Sequence, residues 1–238
     1  MQTVKILGIV GSPRKNGNTA KLVKKALDAA AAVPGVETEL YEMAGKDFHH
    51  CIACFRCLET GDCVFQDDLQ GFVKKYLEAD GVIWGAPVYH MAVPASMKAA
   101  IDRFGHCVIC KYVTMGKEFP RFSKVCGVLT IGATRYGGQD MVMSFLVNSS
   151  LLMNGVVVSG DTIMGNYIGA SGYTGGASAE QMTSKDVVLQ DEEGLRCVTN
   201  LGKRVAEMTR IVKAGMLALR DELPPEYSYS WGELGWQD

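Results

Sequence analysis

Residues Val4 to Val10 form a short run of β-branched and leucine side chains, the pattern of a strand buried on both faces of a parallel sheet. The run ends at Gly11. Gly11-Ser12-Pro13-Arg14-Lys15-Asn16-Gly17-Asn18-Thr19 has the composition of a loop, and Thr19 to Ala32 then reads as a helix of alanine, leucine and lysine that Pro34-Gly35 stops. Glu37 to Glu42 alternates polar and apolar, as a strand near a sheet edge does. Asp67-Asp68 offers an N-cap for a helix through Ala79 whose apolar positions Leu69, Phe72, Val73, Tyr76 and Leu77 keep helical spacing and belong to the core. Gly81 to Ala86 is a third buried strand, leaving through Pro87-Val88-Tyr89-His90. Pro94 opens the next helix through Met97, Ala100, Ile101 and Phe104, with Lys98, Asp102 and Arg103 on its more polar side. Lys124 to Ile131 is the fourth strand, followed by a glycine-rich exit from Gly132 to Gln139, a helix from about Asp140 to Met153 and a fifth strand from Val156 to Ser159.

Strands alternating with helices in this way predict an α/β fold, a doubly wound five-stranded parallel sheet of flavodoxin-like order 2-1-3-4-5, with a cysteine-rich loop after the second strand. In such a sheet ligands sit beyond the carboxyl ends of the strands, at the switch point. Gly165 to Ser184 is glycine-rich and reads as a long surface loop, a lid or a subunit contact. Leu195 to Arg220 is the final helix. The expected organisation is one domain over residues 1–222 and a tail over 223–238, whose Tyr227, Tyr229, Trp231 and Trp236 dock on the same domain or on a neighbouring subunit.

Composition narrows the setting. The 238 residues are 47% hydrophobic, enough for a large core that needs no disulfide staples. The net charge of −2, with acids and bases mixed along the chain, leaves no electrostatic footprint for nucleic acid or an anionic membrane. Phe145 to Val158, the most apolar segment, is broken by Asn148, Ser149, Ser150, Asn154 and Gly155, so no membrane span is expected. The start runs directly into a strand and leaves no room for a targeting peptide. A soluble cytoplasmic protein with small-molecule or protein partners is the expectation.

Four of the eight cysteines fall within Cys51, Cys54, Cys57 and Cys63, at the spacing C-x2-C-x2-C-x5-C. Intervals this short suit the separated corners of a 4Fe-4S cube better than one tetrahedral ion, and bacterial ferredoxins use them for three of four ligands. A zinc knuckle shows two C-x2-C pairs across a longer loop, and a disulfide requires an oxidising compartment. Free thiols beside a cofactor remain open. Cys107 and Cys110 form a second C-x2-C between the helix through Phe104 and the strand at Lys124, while Cys126 and Cys197 read as small buried hydrophobes.

The loop after the first strand concentrates donors for an anion. Free N–H groups of a first helical turn and the helix dipole both favour phosphate. The chain lacks G-x4-G-K-[ST] for a nucleoside triphosphate and G-x-G-x-x-G for a dinucleotide. Ser12, Arg14, Asn18 and Thr19 suit a terminal phosphate monoester, which points to FMN; the alternative is a βα turn that binds nothing. Tyr89 and His90, at the carboxyl end of the third strand, are candidates to lie along a flat aromatic cofactor, the alternatives being a tyrosine packed under the loop and a solvent-facing histidine.

Gly11-Ser12-Pro13-Arg14, the compact cysteine run closing with Cys63-Val64 and Asp67-Asp68, Ala86-Pro87-Val88-Tyr89, Lys98 with Asp102-Arg103, and Gly137-Gly138-Gln139 together resemble the iron-sulfur flavoproteins of the flavodoxin-like NAD(P)H-dependent FMN reductase superfamily. The similarity covers about residues 3–160, and the segment after Gly165 and the aromatic tail depart from the pattern. The resemblance implies an FMN-dependent oxidoreductase with a 4Fe-4S cluster on Cys51, Cys54, Cys57 and Cys63. It implies phosphate contacts from Ser12, Arg14, Asn18 and Thr19, and Pro87, Val88 and Tyr89 beside the isoalloxazine, with the turn carrying Gly132, Arg135 and Gly138 opposite. A ferredoxin donor, a small-molecule electron acceptor and a homodimer or homotetramer follow from the same resemblance. Two other readings stay open: an NAD(P)H-dependent FMN or quinone reductase without a cluster, and a non-enzymatic electron carrier or thiol redox sensor.

Overall fold

Val4–Val10 (β1) is the centre from which the sheet is built, because its two faces are both apolar and both must be covered. It pairs in parallel with Val36–Glu42 (β2) on one side and Gly81–Pro87 (β3) on the other, Val4 lying opposite Val36 and Ile6 opposite Gly81. Val125–Gly132 (β4) follows β3 in parallel register, Gly81 opposite Val125. The sheet order is β2-β1-β3-β4-β5, the doubly wound order expected. A computed structural model supplies this structure and describes residues 3–121, 123–176 and 178–227.

The outer edge differs from expectation. Val156–Val157 (β5) pairs with Val125 and Cys126 only, and the chain then leaves the sheet and returns as Ala170–Tyr173 (β6), parallel to Leu129–Gly132 on β4. The edge position is thus filled by two short strands separated by a detour, and the segment expected to be a surface loop supplies one of them. Gly172 shows why propensity missed it: a Cβ there would lie 2.5 Å from Leu22 Cδ1 and 3.1 Å from Val188 Cγ2. Close packing beneath the strand, rather than β-branched composition, sets its sequence.

Asn18–Ala31 (α1) and Glu192–Ala218 (α7) cover one face of the sheet, burying Leu22, Val23 and Leu27 with Leu201 and Val205 against Ile6, Val10, Ile83 and Leu129. Asp68–Glu78 (α3), Ala95–Thr114 (α4) and Gln139–Leu152 (α5) contribute to the other, where Phe72, Phe104 and Val142 bury with Leu7, Ile9, Trp84 and Val128. The alternation of Ile6 and Val10 with Leu7 and Ile9 between these two cores is the period of two that a strand imposes. Asp67 caps α3 as the sequence predicted: its side-chain Oδ1 accepts from Leu69 N–H, and its own backbone N–H donates to Gln70 Oε1 in return.

Pro225–Tyr227 begins the tail as a short turn, held where Arg121 N–H donates to the Glu226 carbonyl at 3.0 Å. The expected docking of Tyr229, Trp231 and Trp236 lies outside the described residues. No described helix is long and apolar enough to cross a membrane.

Candidate functional site

The loop between β1 and α1 closes on itself. Arg14 N–H donates to Ser12 Oγ at 3.1 Å, and Gly17 N–H to the Arg14 carbonyl at 3.2 Å. Ser12, Asn18 and Thr19 are all buried. Helix α1 starts at Gly17 with no side-chain cap and no acidic residue in its first turn, which leaves its amides and dipole directed at whatever the loop holds. The position suits a phosphate. Two of the four nominated donors are committed elsewhere, however. The Arg14 guanidinium donates to the carbonyls of Met182 at 2.8 Å, Thr183 at 2.5 Å and Ser184 at 3.2 Å, at the end of the helix Ala179–Thr183 (α6). Asn18 donates Nδ2–H to the Ser184 carbonyl at 2.9 Å and accepts Val188 N–H at 3.2 Å. These two side chains strap the 182–188 segment over the loop, leaving Ser12 and Thr19 as the nominated residues that this segment does not engage.

The exits of β3 and β4 come together beside it. Val88 N–H donates to the Ile131 carbonyl at 2.9 Å, and Tyr89 and Ala92 exchange backbone bonds of 2.8 and 3.0 Å around His90 and Met91. Both turn residues have positive φ, 49° and 66°, a conformation non-glycine residues adopt only when the surroundings hold them there. Tyr89, His90 and Met91 are exposed at this turn. Gly138, with φ of 93°, lies against it: a Cβ there would come within 2.9 Å of Met91 Sδ. Gln139 organises the second turn, donating to the Thr134 carbonyl at 2.5 Å and accepting Gly137 N–H at 2.8 Å. Gly132 accepts Thr174 N–H at 3.1 Å, and Arg135 stacks over the Tyr173 ring at 5.5 Å. Pro87, Val88, Tyr89, Gly132 and Gly138 therefore share one rim, whereas Arg135 turns toward the β6 segment.

The cysteine loop is anchored by a residue that sequence placed on a polar helix side. Arg103 is 1% exposed, and every one of its nitrogens is engaged. Nε–H donates to Cys63 Sγ at 3.2 Å; Nη1 donates to the His49 carbonyl at 3.0 Å and Asp67 Oδ2 at 2.5 Å; Nη2 donates to the Phe65 carbonyl at 3.1 Å and Asp67 Oδ1 at 3.2 Å. The guanidinium thus holds both ends of the loop, His49 before it and Phe65 and Asp67 after it. Lys98 and Asp102, its polar neighbours on α4, pair with each other at the surface at 2.6 Å. Burial alone pushes the Asp67 carboxyl up, but the Arg103 hydrogen bonds and the backbone N–H groups of His49 and Leu69 outweigh it and hold it below the usual carboxylate range. Burial likewise opposes the charge on Arg103, and Asp67 and Cys63 together overcome it and raise its pKa.

Within the loop, Ala53 and Phe55 take positive φ of 51° and 56° on either side of Cys54, and Cys57–Thr60 (α2) ends at Gly61 in the left-handed region. These reversals fold the run back on itself. Cys51, Cys54, Cys57 and Cys63 line one cavity of about 240 Å³, walled by Ile52, Phe55, Leu58, Val64 and Phe65. Cys107 and Cys110 line it too, which corrects their expected place beyond the helix: α4 continues to Thr114 and carries both. Burial pushes the Cys110 thiol up to about 11 and the Cys107 thiol higher, and the neighbouring loop cysteines, Cys57 for the first and Cys63 and Cys57 for the second, add to the rise. Cys126 and Cys197 are buried, as expected.

This donor set fits an iron-sulfur cluster. The cavity's polar lining is six cysteine sulfurs, the Arg103 guanidinium and the His106 imidazole, and no carboxylate lines it. Among the described residues no three side chains converge to hold a single metal ion; the thiols ring a space instead.

A doubly wound parallel sheet, an uncapped helix start at its switch point and a rim of β3 and β4 exits define a flavodoxin-like flavin-binding protein. A family model for NADPH-dependent FMN reductase matches residues 4–169. An iron-sulfur flavoprotein of Methanocaldococcus jannaschii is 37% identical over 210 residues, covering 88% of this chain and 100% of that one. An iron-sulfur flavoprotein of Methanosarcina thermophila is 30% identical over 210 residues, covering 88% and 97%. Among solved structures, RosB with a bound riboflavin-phosphate intermediate superposes with a TM-score of 0.62 at 17% identity, covering 96% of this chain and 91% of that one, a likeness of fold. The chain belongs to the iron-sulfur flavoproteins of the NADPH-dependent FMN reductase family and is an FMN-dependent oxidoreductase.

Proposed function

We propose that this flavoprotein passes electrons between a 4Fe-4S cluster on Cys51, Cys54, Cys57 and Cys63 and FMN, and on to a small-molecule acceptor. The observation that carries the reading is the thiol-ringed cavity whose loop is held at both ends by the buried Arg103. When bound, the cluster supplies single electrons and FMN exchanges one or two, so the pair couples a one-electron donor to a two-electron acceptor.

The chain's own residues do the rest. Arg103 orients Cys63 and neutralises charge gathered on the thiolates. Phe55, Phe65 and Leu58 give the cavity apolar walls. Ser12, Thr19 and the first-turn amides of α1 hold the FMN phosphate, while Pro87, Val88, Tyr89, Gly132 and Gly138 border the ring system. Helix α4 links the two sites: it starts just after the Tyr89 turn and reaches Cys107 twelve residues beyond Ala95, about 18 Å at the rise of an α-helix.

A ferredoxin-type donor, a homodimer or homotetramer and a cytoplasmic setting complete the reading, in keeping with the family. Replacing Cys54 with alanine tests it: iron should be lost while FMN stays bound, and unchanged iron content would count against it.

A further inference from the structure

The chain leaves β6 at Tyr173 and enters α7 at Glu192, and Asp191 ties the two points together: its Oδ2 accepts Tyr173 N–H at 2.7 Å and its Oδ1 accepts Gly194 N–H at 3.0 Å. What lies between is held in two different ways. Val188 is fully buried in the core with Leu22 and Val198, so the end next to α7 is fixed by apolar packing. Residues 178–186 bury no side chain. They carry α6, which closes on itself through the reciprocal cap between Ser178 and Gln181. Their bonds to the β1–α1 loop and the start of α1 are polar: Arg14 donates to the carbonyls of Met182, Thr183 and Ser184, Asn18 donates to the Ser184 carbonyl, and Lys21 Nζ meets Asp186 Oδ1 at 2.6 Å. A segment held by exposed polar bonds and no apolar burial opens locally while the rest of the domain stays folded. Gly175 and Gly176, with φ of 87° and 138°, supply a hinge before α6. Ser12 and Thr19, the hydroxyls assigned to the flavin phosphate, are 3% and 2% exposed with this segment in place.

We propose that residues 178–186 form a latched flap over the β1–α1 loop that sets how fast FMN enters and leaves without setting how tightly it is held. The inference rests on the reading of that loop as the site of the FMN phosphate. Every donor and acceptor in the latch is a protein group, so the latch is equally strong with and without flavin beneath it. Weakening it raises the open fraction of the empty and of the loaded protein by the same factor. Association and dissociation then speed up together, and their ratio, the Kd, stays where it was. A phosphate-binding Arg14 behaves differently: its loss would speed release and slow association, because a cation at the site steers the anion in.

Two variants of the full-length protein test this. Arg14→Ala removes the central bonds of the latch, and Asp186→Ala breaks only the ion pair with Lys21, touching no residue assigned to the flavin. Release is followed from the FMN-loaded protein into excess apoflavodoxin, which captures free FMN; association is followed by stopped-flow quenching of FMN fluorescence after the flavin has been removed. In Arg14→Ala both rate constants should rise about tenfold, the scale of losing a charge-assisted hydrogen bond. In Asp186→Ala both should rise about twofold to threefold, as for an exposed ion pair. Faster release with unchanged or slower association in either variant would overturn the proposal and return the residue to a flavin-binding role. Wild-type rates in Arg14→Ala would overturn it too, since the flap would then gate nothing. Failure of the wild-type chain to take up FMN in a titration would strike the phosphate-site reading itself, and is seen before any rate is measured.

Discussion

Arg103 donates its Nε–H to Cys63 Sγ at 3.2 Å while its two terminal nitrogens close on Asp67, so the last cysteine of the loop is oriented by a buried cation. The side chains of Arg103 and Asp67 are 1% and 3% exposed, and a pair this buried is strongly damaging to break from one side. Arg103→Met strands the Asp67 carboxylate, with an expected loss of about 3–5 kcal/mol in denaturant unfolding. Arg103→Lys keeps a charge but has no fork to reach Cys63, His49, Phe65 and Asp67 together. It should show a smaller stability loss and a clear fall in the iron-to-FMN ratio; wild-type values of both would contradict this role.

The same pair gives a pH dependence with a definite sign. Asp67 is held below the usual carboxylate range in the folded chain, so at mildly acid pH the unfolded chain binds the proton more readily. Its contribution is complete above the unfolded carboxylate value of about 3.9 and is lost as pH falls through the lower folded value. Asp67→Asn retains a helix-capping side chain but cannot ionise. Unfolding free energies of wild type and variant should differ most near neutrality and converge in acid below about pH 4. A difference that stays constant from pH 7 to pH 3 would refute the assignment.

Arg14 and Ser12 should separate in their effects. Arg14 is spent on the carbonyls of residues 182–184, so Arg14→Ala should speed amide hydrogen exchange across 182–188 more than it weakens FMN binding. Ser12→Ala should do the reverse, lowering FMN affinity with little change in that segment. Flavin titration and exchange mass spectrometry on both variants decide it.

Helix α7 approaches α1 so closely that a Cβ on Gly202 would sit 2.0 Å from the Ala26 carbonyl oxygen and 2.7 Å from its carbon. Both atoms are backbone and have nowhere to move. Gly202→Ala should lower stability by about 3 kcal/mol, at the upper end of ordinary overpacking, seen as a fall in Tm with FMN still bound in the folded fraction.

Much of this was legible beforehand. The buried strands at Val4–Val10, Gly81–Pro87 and Val125–Gly132 announce themselves as apolar runs, and the doubly wound order follows from their alternation with helices. The cysteine spacing carried the loop. Three things were not readable. Arg103 looks polar in a helical pattern, and only the return of Asp67 and Cys63 from far along the chain buries it. An apolar stripe ending at Phe104 leaves Cys107 and Cys110 beyond the helix, yet Cys107, Val108, Cys110 and Tyr112 continue its buried face. Arg14 finds its acceptors about 170 residues away, at the end of α6, a contact with no local signal.

Iron, acid-labile sulfide and FMN content, measured with a visible spectrum on protein purified without oxygen, test the central claim most directly. Near four irons and four sulfides per FMN is the predicted result. FMN with no iron, even after anaerobic reconstitution, would contradict the cluster and make NAD(P)H the electron donor to test.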